Sequence, residues 1–423
     1  MQKISYDLIK EVVYKEELDN GLKVVLVPKK DYNKTYAIIG TKYGSIDNRF
    51  IPVGKDEYID VPSGIAHFLE HKLFEMEDGI DASVRLSNLG VTSNAYTTFD
   101  RTAYLFTASN NVKEALNELL DFVFNPYFTD ENILKEQGII DQEINMYLDD
   151  PYFNAINDCM RNMYKENSVN LEIVGTTSSI KKIDKDILYT CYNTFYQPGN
   201  MCLALVGNFD EDIIDVIKEN MSKKSFPSYK EIKREYKLDD TIGDENTTSE
   251  MDVSIPKVCI GVRLPILEFD LKFDSLLAMV MTYFFSESSK YVTNLTKKRL
   301  INDTFSSFSS VDFYANYVML LGDSNKPLEL VSEIKKIFDE IKESKVNKRD
   351  FNRIKNALLG SFVSSFNSVE AIGGNIIKYE LNGEDFFNIT QILEDISFEE
   401  FKDSLNIFND AKIVSHIIYP KNE

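Results

Sequence analysis

The segment GIAHFLEHKLFE, residues 64–75, places two of the chain's three histidines within one helical turn. His67 and His71 are four positions apart, and Glu70 lies between them. On an α-helix the two histidines project about 40° apart, and Glu70 projects about 60° from His67 on the other side. Two imidazoles in this arrangement can chelate one divalent ion, and the nearby carboxylate can accept a proton from water. The segment therefore predicts a helix that carries a metal site.

The order of these residues, H-x-x-E-H, is the reverse of the commoner H-E-x-x-H zinc motif and supports the same chemistry. With 3 histidines and 68 carboxylates in 423 residues, composition alone predicts about 0.003 such patterns in a chain of this length. The competing interpretation is two surface histidines on an amphipathic helix. Because the pattern is so rare by chance, we favour the metal site.

A hydrolytic zinc site needs a third protein ligand and an open fourth position. The remaining histidine, His416, lies in the strand-like segment VSHIIYP and is interpreted as a core or edge residue. The third ligand is then a carboxylate, and the helical segment at residues 133–147 offers Glu136 and Glu143. These two residues are only about 20° out of register on a helix. Alone they would be read as a solvated stripe, but beside the histidine pair they become candidates for the metal site.

Short β-branched and aromatic runs alternate with amphipathic stretches, and this order of elements recurs in the second half of the chain. The sequence therefore predicts two duplicated domains, each of which combines β-strands with α-helices. The predicted first domain, residues 1–221, contains the metal motif. A polar stretch at residues 222–250 is predicted to be a linker, and residues 251–423 form the second domain.

The sequence also predicts the bounds of two long helices. The first runs from about Asp130 to Tyr147 and is predicted to stop at the sequence Asp149-Asp150-Pro151. The second is one long helical stretch over Phe273–Arg299.

The composition of the chain argues against several kinds of binding partner. The formal net charge of −21 argues against binding to nucleic acid or to an anionic membrane. The first residues contain no apolar signal-peptide core, and no stretch approaches the roughly 18 apolar residues of a membrane span. The four cysteines are scattered without CxxC spacing, which favours free thiols in a reducing compartment. We therefore expect a cytoplasmic protein that binds neither nucleic acid nor membrane.

HFLEH, together with a glutamate 72 positions after its second histidine (143 − 71) in EQGIIDQE, resembles the pitrilysin (M16) family of inverted-motif zinc metallopeptidases. HFLEHK is similar to the short bacterial processing-peptidase-like branch of that family. The resemblance implies one Zn²⁺ per chain, bound by His67, His71 and Glu143, with Glu70 as the general base. It implies Glu136 as a further catalytic carboxylate that supports the site without binding the metal. Manganese or cobalt could substitute at such ligands.

The segment SNAYTTFDRTAYLF, residues 93–106, also resembles the family strand that follows the motif helix. The resemblance implies that Asn94 and Ala95 lie on an edge strand, where an extended peptide pairs through backbone hydrogen bonds. Read without the family, Asn94 would be a turn residue. The family fold further implies two homologous α+β domains, each an antiparallel β-sheet packed with α-helices as in mitochondrial processing peptidase. These domains close over the peptide like a clamshell, and the second domain is an inactive repeat.

The implied function is a zinc metalloendopeptidase that cleaves unfolded peptides or small precursor or leader segments within a closed chamber. Many family members also carry an Arg and a Tyr seven positions apart in the second domain, which grip the substrate. Thr296 and Asn302 stand near those positions here. One hypothesis is that a paralogous subunit, or a second copy in a homodimer, completes the site; the alternative is that the basic residues 297–299 grip the substrate. The rival function is a non-catalytic or half-site subunit.

Overall fold

The computed structural model describes residues 1–210, 212–239, 241–265, 269–342 and 346–421. The other positions, among them residue 240 of the predicted linker and residues 422–423 of the predicted second domain, lie outside the described residues. The chain forms two compact units. The first comprises Met1–Ile144, Leu171–Glu235 and Val363–Phe387; the second comprises Asn145–Asn170 with the described parts of residues 236–362 and 388–423.

The first unit is built on a seven-stranded sheet in the order β1-β2-β3-β9-β4-β8-β7. Its strands β3 and β9 are parallel, and its other neighbouring strands are antiparallel. Every residue of the central strands β4 and β9 is buried, as expected for strands covered on both faces. The strands of this unit, including the separate pair β5–β6, are β1 (Gln2–Tyr6), β2 (Glu11–Glu17), β3 (Lys23–Pro28), β4 (Thr35–Thr41), β5 (Arg49–Phe50), β6 (Ile59–Asp60), β7 (Thr92–Thr97), β8 (Thr102–Ala108) and β9 (Met201–Gly207).

The second unit contains a five-stranded sheet in the order β10-β14-β11-β13-β12. This order, with β10 and β14 parallel and the other pairs antiparallel, matches β3-β9-β4-β8-β7 of the first sheet strand for strand. The predicted two-domain α+β repeat is therefore confirmed, although each sheet is mixed rather than wholly antiparallel. Its strands are β10 (Asn246–Met251), β11 (Lys257–Leu264), β12 (Ser306–Val311), β13 (Asn316–Asp323) and β14 (Lys412–Pro420).

Helices pack on both sheets, and one helix in each unit comes from the opposite half of the chain. In the first unit α13 packs on β4 and β9, and in the second unit α5 packs on β11 and β14. The compact units are therefore discontinuous in sequence, whereas the domains predicted from the sequence are contiguous. The helices are α1 (Ile65–Lys72), α2 (Ala82–Asn88), α3 (Val112–Phe124), α4 (Asp130–Leu148), α5 (Pro151–Met163), α6 (Thr177–Ile180), α7 (Lys185–Phe195), α8 (Ile213–Ser222), α9 (Leu271–Phe285), α10 (Lys290–Lys297), α11 (Pro327–Lys342), α12 (Lys348–Ser365), α13 (Val369–Glu380), α14 (Ile389–Asp395) and α15 (Phe398–Ser404).

At three places the structure adds an element boundary to those predicted from the sequence. The predicted stop after α4 is confirmed, but Asp150 and Pro151 also begin α5: the Asp150 carboxylate accepts hydrogen bonds from the first amides, and Pro151 occupies the first turn. The predicted long helix over Phe273–Arg299 is two helices, because the Ser289 side chain caps the start of α10. Within the predicted linker, β10 begins at Asn246 and pairs with β14.

None of the helices in the described part of the chain combines the length and apolar character needed to cross a membrane.

Candidate metal centre

The start of α1 is fixed by a close contact between two backbone segments. Gly64, which precedes the helix, has φ = 86°, a left-handed conformation that glycine adopts without strain. A Cβ atom at this position would lie 2.6 Å from the carbonyl oxygen of Val174 and 2.8 Å from Cα of Gly175. The Ser179 hydroxyl also donates to the Ser63 carbonyl, at 2.8 Å. These contacts set the position from which α1 presents its histidines.

The second helix of the site, α4, begins with a reciprocal cap. The Thr129 amide donates to Asn132 Oδ1 at 2.9 Å, and the Asn132 amide donates to Thr129 Oγ1 at 3.1 Å. The apolar face of α4, which includes Ile140 and Ile144, is buried in the first unit. Burial of this face orients the neighbouring carboxylates of the helix toward α1.

Three side chains converge on one point between these helices. His67, His71 and Glu143 each offer one ligand atom, and these atoms lie within 4.8 Å of one another. Oε2 of Glu143 is 3.7 Å from Nε2 of His67 and 3.5 Å from Nε2 of His71. This is the one group of its kind, with three or more histidine, cysteine or acidic side chains able to hold a metal ion, among the residues that the structure describes.

The chemistry of the three donors fits a zinc ion. Ligands 2.0–2.1 Å from a tetrahedral zinc are about 3.3 Å apart, close to the separations from the Glu143 oxygen. That oxygen is buried and has no hydrogen-bond partner, a costly arrangement unless a cation lies beside it. Burial, and then the charge of His71, lowers the pKa of His67 to about 3, so the His67 ring is neutral at physiological pH. A neutral ring keeps the lone pair that a metal ligand needs.

Glu136 contacts the opposite side of His71. Its Oε1 atom is 3.0 Å from Nδ1 of His71. Because an ionised carboxylate only accepts hydrogen bonds, this contact keeps the proton on Nδ1 and leaves Nε2 free as a ligand. Burial lowers the pKa of His71, but the hydrogen bond to Glu136 and the charges of Glu136, Glu70 and Glu143 outweigh it and raise the pKa above its ordinary value. Glu136 is thus placed to support the site and is not one of the three converging ligands.

Glu70 projects beside the histidines and contacts the edge strand β7. The Thr97 hydroxyl donates to Oε2 of Glu70 at 2.6 Å, which leaves Oε1 of Glu70 for another partner. Burial raises the pKa of Glu70 to about 7, partly opposed by the Thr97 hydrogen bond and the charge of His71. A carboxyl group with this pKa can both accept and release a proton near neutral pH.

Asn94 and Ala95 lie on β7, an edge strand of the first sheet, as expected. Ala95 donates its amide hydrogen to Oδ1 of Asn94 at 2.9 Å, and Asn94 is exposed.

In the second unit, the ring of His416 is buried and has a hydroxyl partner at each nitrogen, Thr247 at 2.8 Å and Ser249 at 3.0 Å. The interpretation of His416 as a satisfied core residue is therefore confirmed.

Two residues next to the predicted site were not predicted from the sequence. Thr97 follows the proposed peptide-binding residues in SNAYTT, and Lys72 directly follows His71 in HFLEHK. Strand alternation places Thr97 on the same face as Ala95, which could have pointed to it. A lysine at the end of a helix is usually a solvated charge, so nothing in the sequence marks Lys72 as buried.

Comparison with known proteins places both halves of the chain in one group. The family model described as Insulinase (Peptidase family M16) matches residues 50–177, and the model described as Peptidase M16 inactive domain matches residues 182–358. The chain is 40% identical over 403 residues to the zinc protease YmfH of Bacillus subtilis (strain 168), covering 94% of each protein.

Two further relatives extend this similarity. The crystal structure of an M16-like peptidase from Alicyclobacillus acidocaldarius has a TM-score of 0.92 and 31% identity, and the match covers 97% of this chain and 99% of that chain. A protein of Arabidopsis thaliana named as a mitochondrial-processing peptidase subunit beta is 23% identical over 398 residues, which are 86% of this chain and 70% of that protein.

Proposed function

Because this chain belongs to the M16 (insulinase) family of peptidases, we propose that it is a zinc metalloendopeptidase with one zinc ion per chain. The observation that carries the proposal is the convergence of Nε2 of His67 and Nε2 of His71 on an unpartnered oxygen of Glu143. Three protein ligands leave a fourth position open, as hydrolytic zinc sites require. A structural zinc site would instead be closed by four protein ligands.

Each remaining group then has a role in peptide hydrolysis. Zinc, when bound, supplies a Lewis acid that polarises the scissile carbonyl and acidifies water. Oε1 of Glu70 accepts the proton of the attacking water and later delivers it to the leaving amine, while Oε2 stays hydrogen-bonded to Thr97. Glu136 holds the ring of His71 in the orientation that directs Nε2 toward Glu143.

The substrate we propose is an extended segment of an unfolded peptide, or of a small precursor or leader, enclosed in a chamber. The edge strand β7 supports this, because it carries Thr97, which contacts Glu70, and also Asn94 and Ala95. A peptide that pairs with this edge through its backbone passes beside the general base. Backbone pairing excludes stably folded segments, whose amides and carbonyls are already paired.

The second half of the chain, residues 251–423, is proposed to be a non-catalytic repeat. Its single histidine, His416, is already paired with hydroxyl groups, and the matching family model is described as inactive. The Arg–Tyr pair expected here is missing from the sequence, and one relative is named as a subunit. We therefore propose as the alternative function a half-site subunit that is completed by a paralogous chain or by a second copy.

We propose that the enzyme works in the cytoplasm. The four cysteines are all free and buried, as expected in a reducing compartment.

The test combines metal analysis with cleavage of quenched fluorescent peptides. Purified wild type is expected to contain one zinc per chain and to cleave unstructured peptides. Glu70→Gln is expected to keep the zinc and lose cleavage by at least about 100-fold, because it removes only the proton acceptor. Glu131→Gln, an exposed carboxylate on the same helix as Glu143, is the control and should match wild type.

The possible results separate the two functions. Zinc without cleavage until a paralogous subunit is added would favour the half-site subunit, and specific activity that rises with protein concentration would favour a homodimer. A wild-type chain that binds no zinc, manganese or cobalt would contradict both.

A further inference from the structure

Lys72, the last residue of α1, is completely buried, with 0% of its surface exposed. Fully buried lysines are rare, because removing an ammonium group from water is costly unless it is paired. This lysine immediately follows His71 in the sequence. Its burial therefore places a positive charge inside the protein, next to the candidate metal centre.

The ammonium group of Lys72 reaches from α1 to α4. It forms an ion pair with Glu75, and it lies 3.4 Å from the carbonyl oxygen of Asn132 in the first turn of α4. Its third partner is Oε2 of Glu136, at 3.9 Å. Since Asn132 is itself fixed by the cap with Thr129, Lys72 contacts a well-defined part of α4.

The two oxygens of Glu136 consequently have different partners. Oε1 lies 3.0 Å from Nδ1 of His71, and Oε2 faces the Lys72 ammonium group. A carboxylate held at both oxygens cannot rotate about its last bond without losing one contact. The orientation of the His71 ring is thus coupled to Lys72 through Glu136.

We propose that Lys72 is a positioning residue for the metal centre: it holds Glu136 so that the His71 ring presents Nε2 toward Glu143. This inference rests on the proposed function, since it assumes that the three converging side chains bind zinc. Lys72 is also a buried cation beside two carboxylates, Glu75 and Glu136, and so limits the repulsion between them.

The first test is the zinc affinity of Lys72→Met, measured by competition with a chromophoric chelator. Methionine keeps most of the buried stem and removes the charge. We expect zinc binding to weaken by about 10- to 100-fold, the usual effect of losing support for a metal ligand. Lys224→Met is the matched control, because Lys224 is a mostly buried lysine that pairs with Asp121 in the same unit without contacting the metal ligands. It should leave zinc affinity unchanged.

A double-mutant cycle tests whether the effect passes through Glu136. If Lys72 acts by holding Glu136, then Lys72→Met combined with Glu136→Gln should bind zinc about as weakly as Glu136→Gln alone. The visible spectrum of the cobalt-substituted protein gives a second measurement, and Lys72→Met and Glu136→Gln should shift its ligand-field bands in the same way. If Lys72→Met does not fold, Lys72→Gln, which retains a donor for the Asn132 carbonyl, takes its place in both measurements.

The results distinguish this inference from the proposed function. A wild-type chain without zinc would overturn the proposed function and this inference with it. A wild type that binds zinc, with Lys72→Met binding equally well, would overturn only the role of Lys72. Fully additive losses in the cycle would also overturn it, because they would show a purely structural contribution.

Discussion

His71 shows how much of the proposed chemistry depends on single atoms. Its two ring nitrogens face different carboxylates, Nδ1 toward Glu136 at 3.0 Å and Nε2 toward Glu143 at 3.5 Å. The shorter contact is a hydrogen bond, whereas the longer one exceeds the normal range for N–H···O bonds. The same ring is therefore fixed on one side and available to a cation on the other. His67, which lacks such a contact at Nδ1, depends on burial for its orientation.

Glu70 should make the stability of the metal-free protein depend on pH. Burial raises the pKa of Glu70 from 4.5 to about 7 in the folded chain, so the folded state binds this proton more tightly than the unfolded state. Stability from this group is therefore complete below about pH 4.5 and is lost as the pH rises to about 7. The free-energy difference is on the order of 3 kcal/mol.

We expect Glu70→Gln to remove this dependence. In the presence of a chelator, urea unfolding should show that the variant is more stable than wild type at pH 8. The difference in unfolding free energy, variant minus wild type, should be up to about 3 kcal/mol larger at pH 8 than at pH 4.5. Glu114→Gln, an exposed carboxylate on α3, should show no such change between the two pH values. A stability difference for Glu70→Gln that is the same at both pH values would contradict the explanation.

At the scale of the helix, the position of α1 depends on Gly64. An alanine there would have to adopt φ near 86°, at a cost of about 1–2 kcal/mol, and its Cβ would collide with the Val174 carbonyl. We expect Gly64→Ala to shift the start of α1, reduce stability by more than the backbone cost, and weaken zinc binding. Thermal unfolding and chelator competition would measure the two effects.

Gly90→Ala is the control that carries the cost of a positive φ without a steric clash of the added Cβ. Gly90 also has a positive φ, 75°, but an added Cβ would meet nothing within 4 Å. This control should lose only about 1–2 kcal/mol and keep wild-type zinc affinity. Equal losses in the two variants would show that the contact between Gly64 and residues 174–175 does not position the helix.

The elements of the site could be predicted from the sequence because each carries its own local pattern. The spacing of His67, Glu70 and His71 indicated a metal-binding helix, and the seven-residue spacing of Glu136 and Glu143 placed both on one face of a second helix. The burial of Lys72 could not be predicted from a local sequence pattern. The buried Lys72 ammonium group contacts the Asn132 carbonyl of α4, and that contact joins residues 60 positions apart (132 − 72). The roles of the individual site residues stay predictions until tested.

Helix capping and long-range strand pairing explain the element boundaries that were not predicted from the sequence. Asp150 and Pro151 were expected to end a helix, and they do follow one, but the same residues are also a strong helix start. Strand β10 alternates exposed and half-buried residues, and all of them except Met251 are polar, so its sequence looked like a linker. Its pairing with β14, almost 170 residues away, supplies the hydrogen bonds that its sequence could not indicate.

At the scale of the whole molecule, the two halves of the chain exchange a helix. In the first unit α13 covers the central strands β4 and β9, and in the second α5 covers the matching strands β11 and β14. The exchange is reciprocal, because β4 and β9 occupy the same places in the first sheet as β11 and β14 in the second. A contiguous half of the chain therefore lacks one of the helices that cover its own sheet.

The contacts of α13 show what such a half would lose. Ile372, Ile376 and Ile377 are fully buried in the first unit. Gly40 on β4 leaves room for Ile377, since a Cβ there would lie 2.5 Å from its side chain. Just beyond α13, Asp385 accepts a hydrogen bond from Tyr6 at 2.6 Å. Burying a large apolar side chain contributes roughly 1.5–3 kcal/mol, so exposing these three isoleucines would cost about 5–9 kcal/mol, which is comparable with a typical net stability of about 5–15 kcal/mol.

We therefore expect a fragment of residues 1–235 to fold poorly on its own, although it contains every residue of the predicted metal site. It should melt without a cooperative transition and bind zinc far more weakly than the full chain. Mixing it with residues 236–423, expressed separately, should restore both properties, because α13 can then cover β4 and β9. As a control, the same mixture with Ile376→Asp in the second fragment should not recover. If residues 1–235 alone melted cooperatively and bound zinc like the full chain, the contiguous boundary near residue 221 would describe the folding units better than the exchanged helices do.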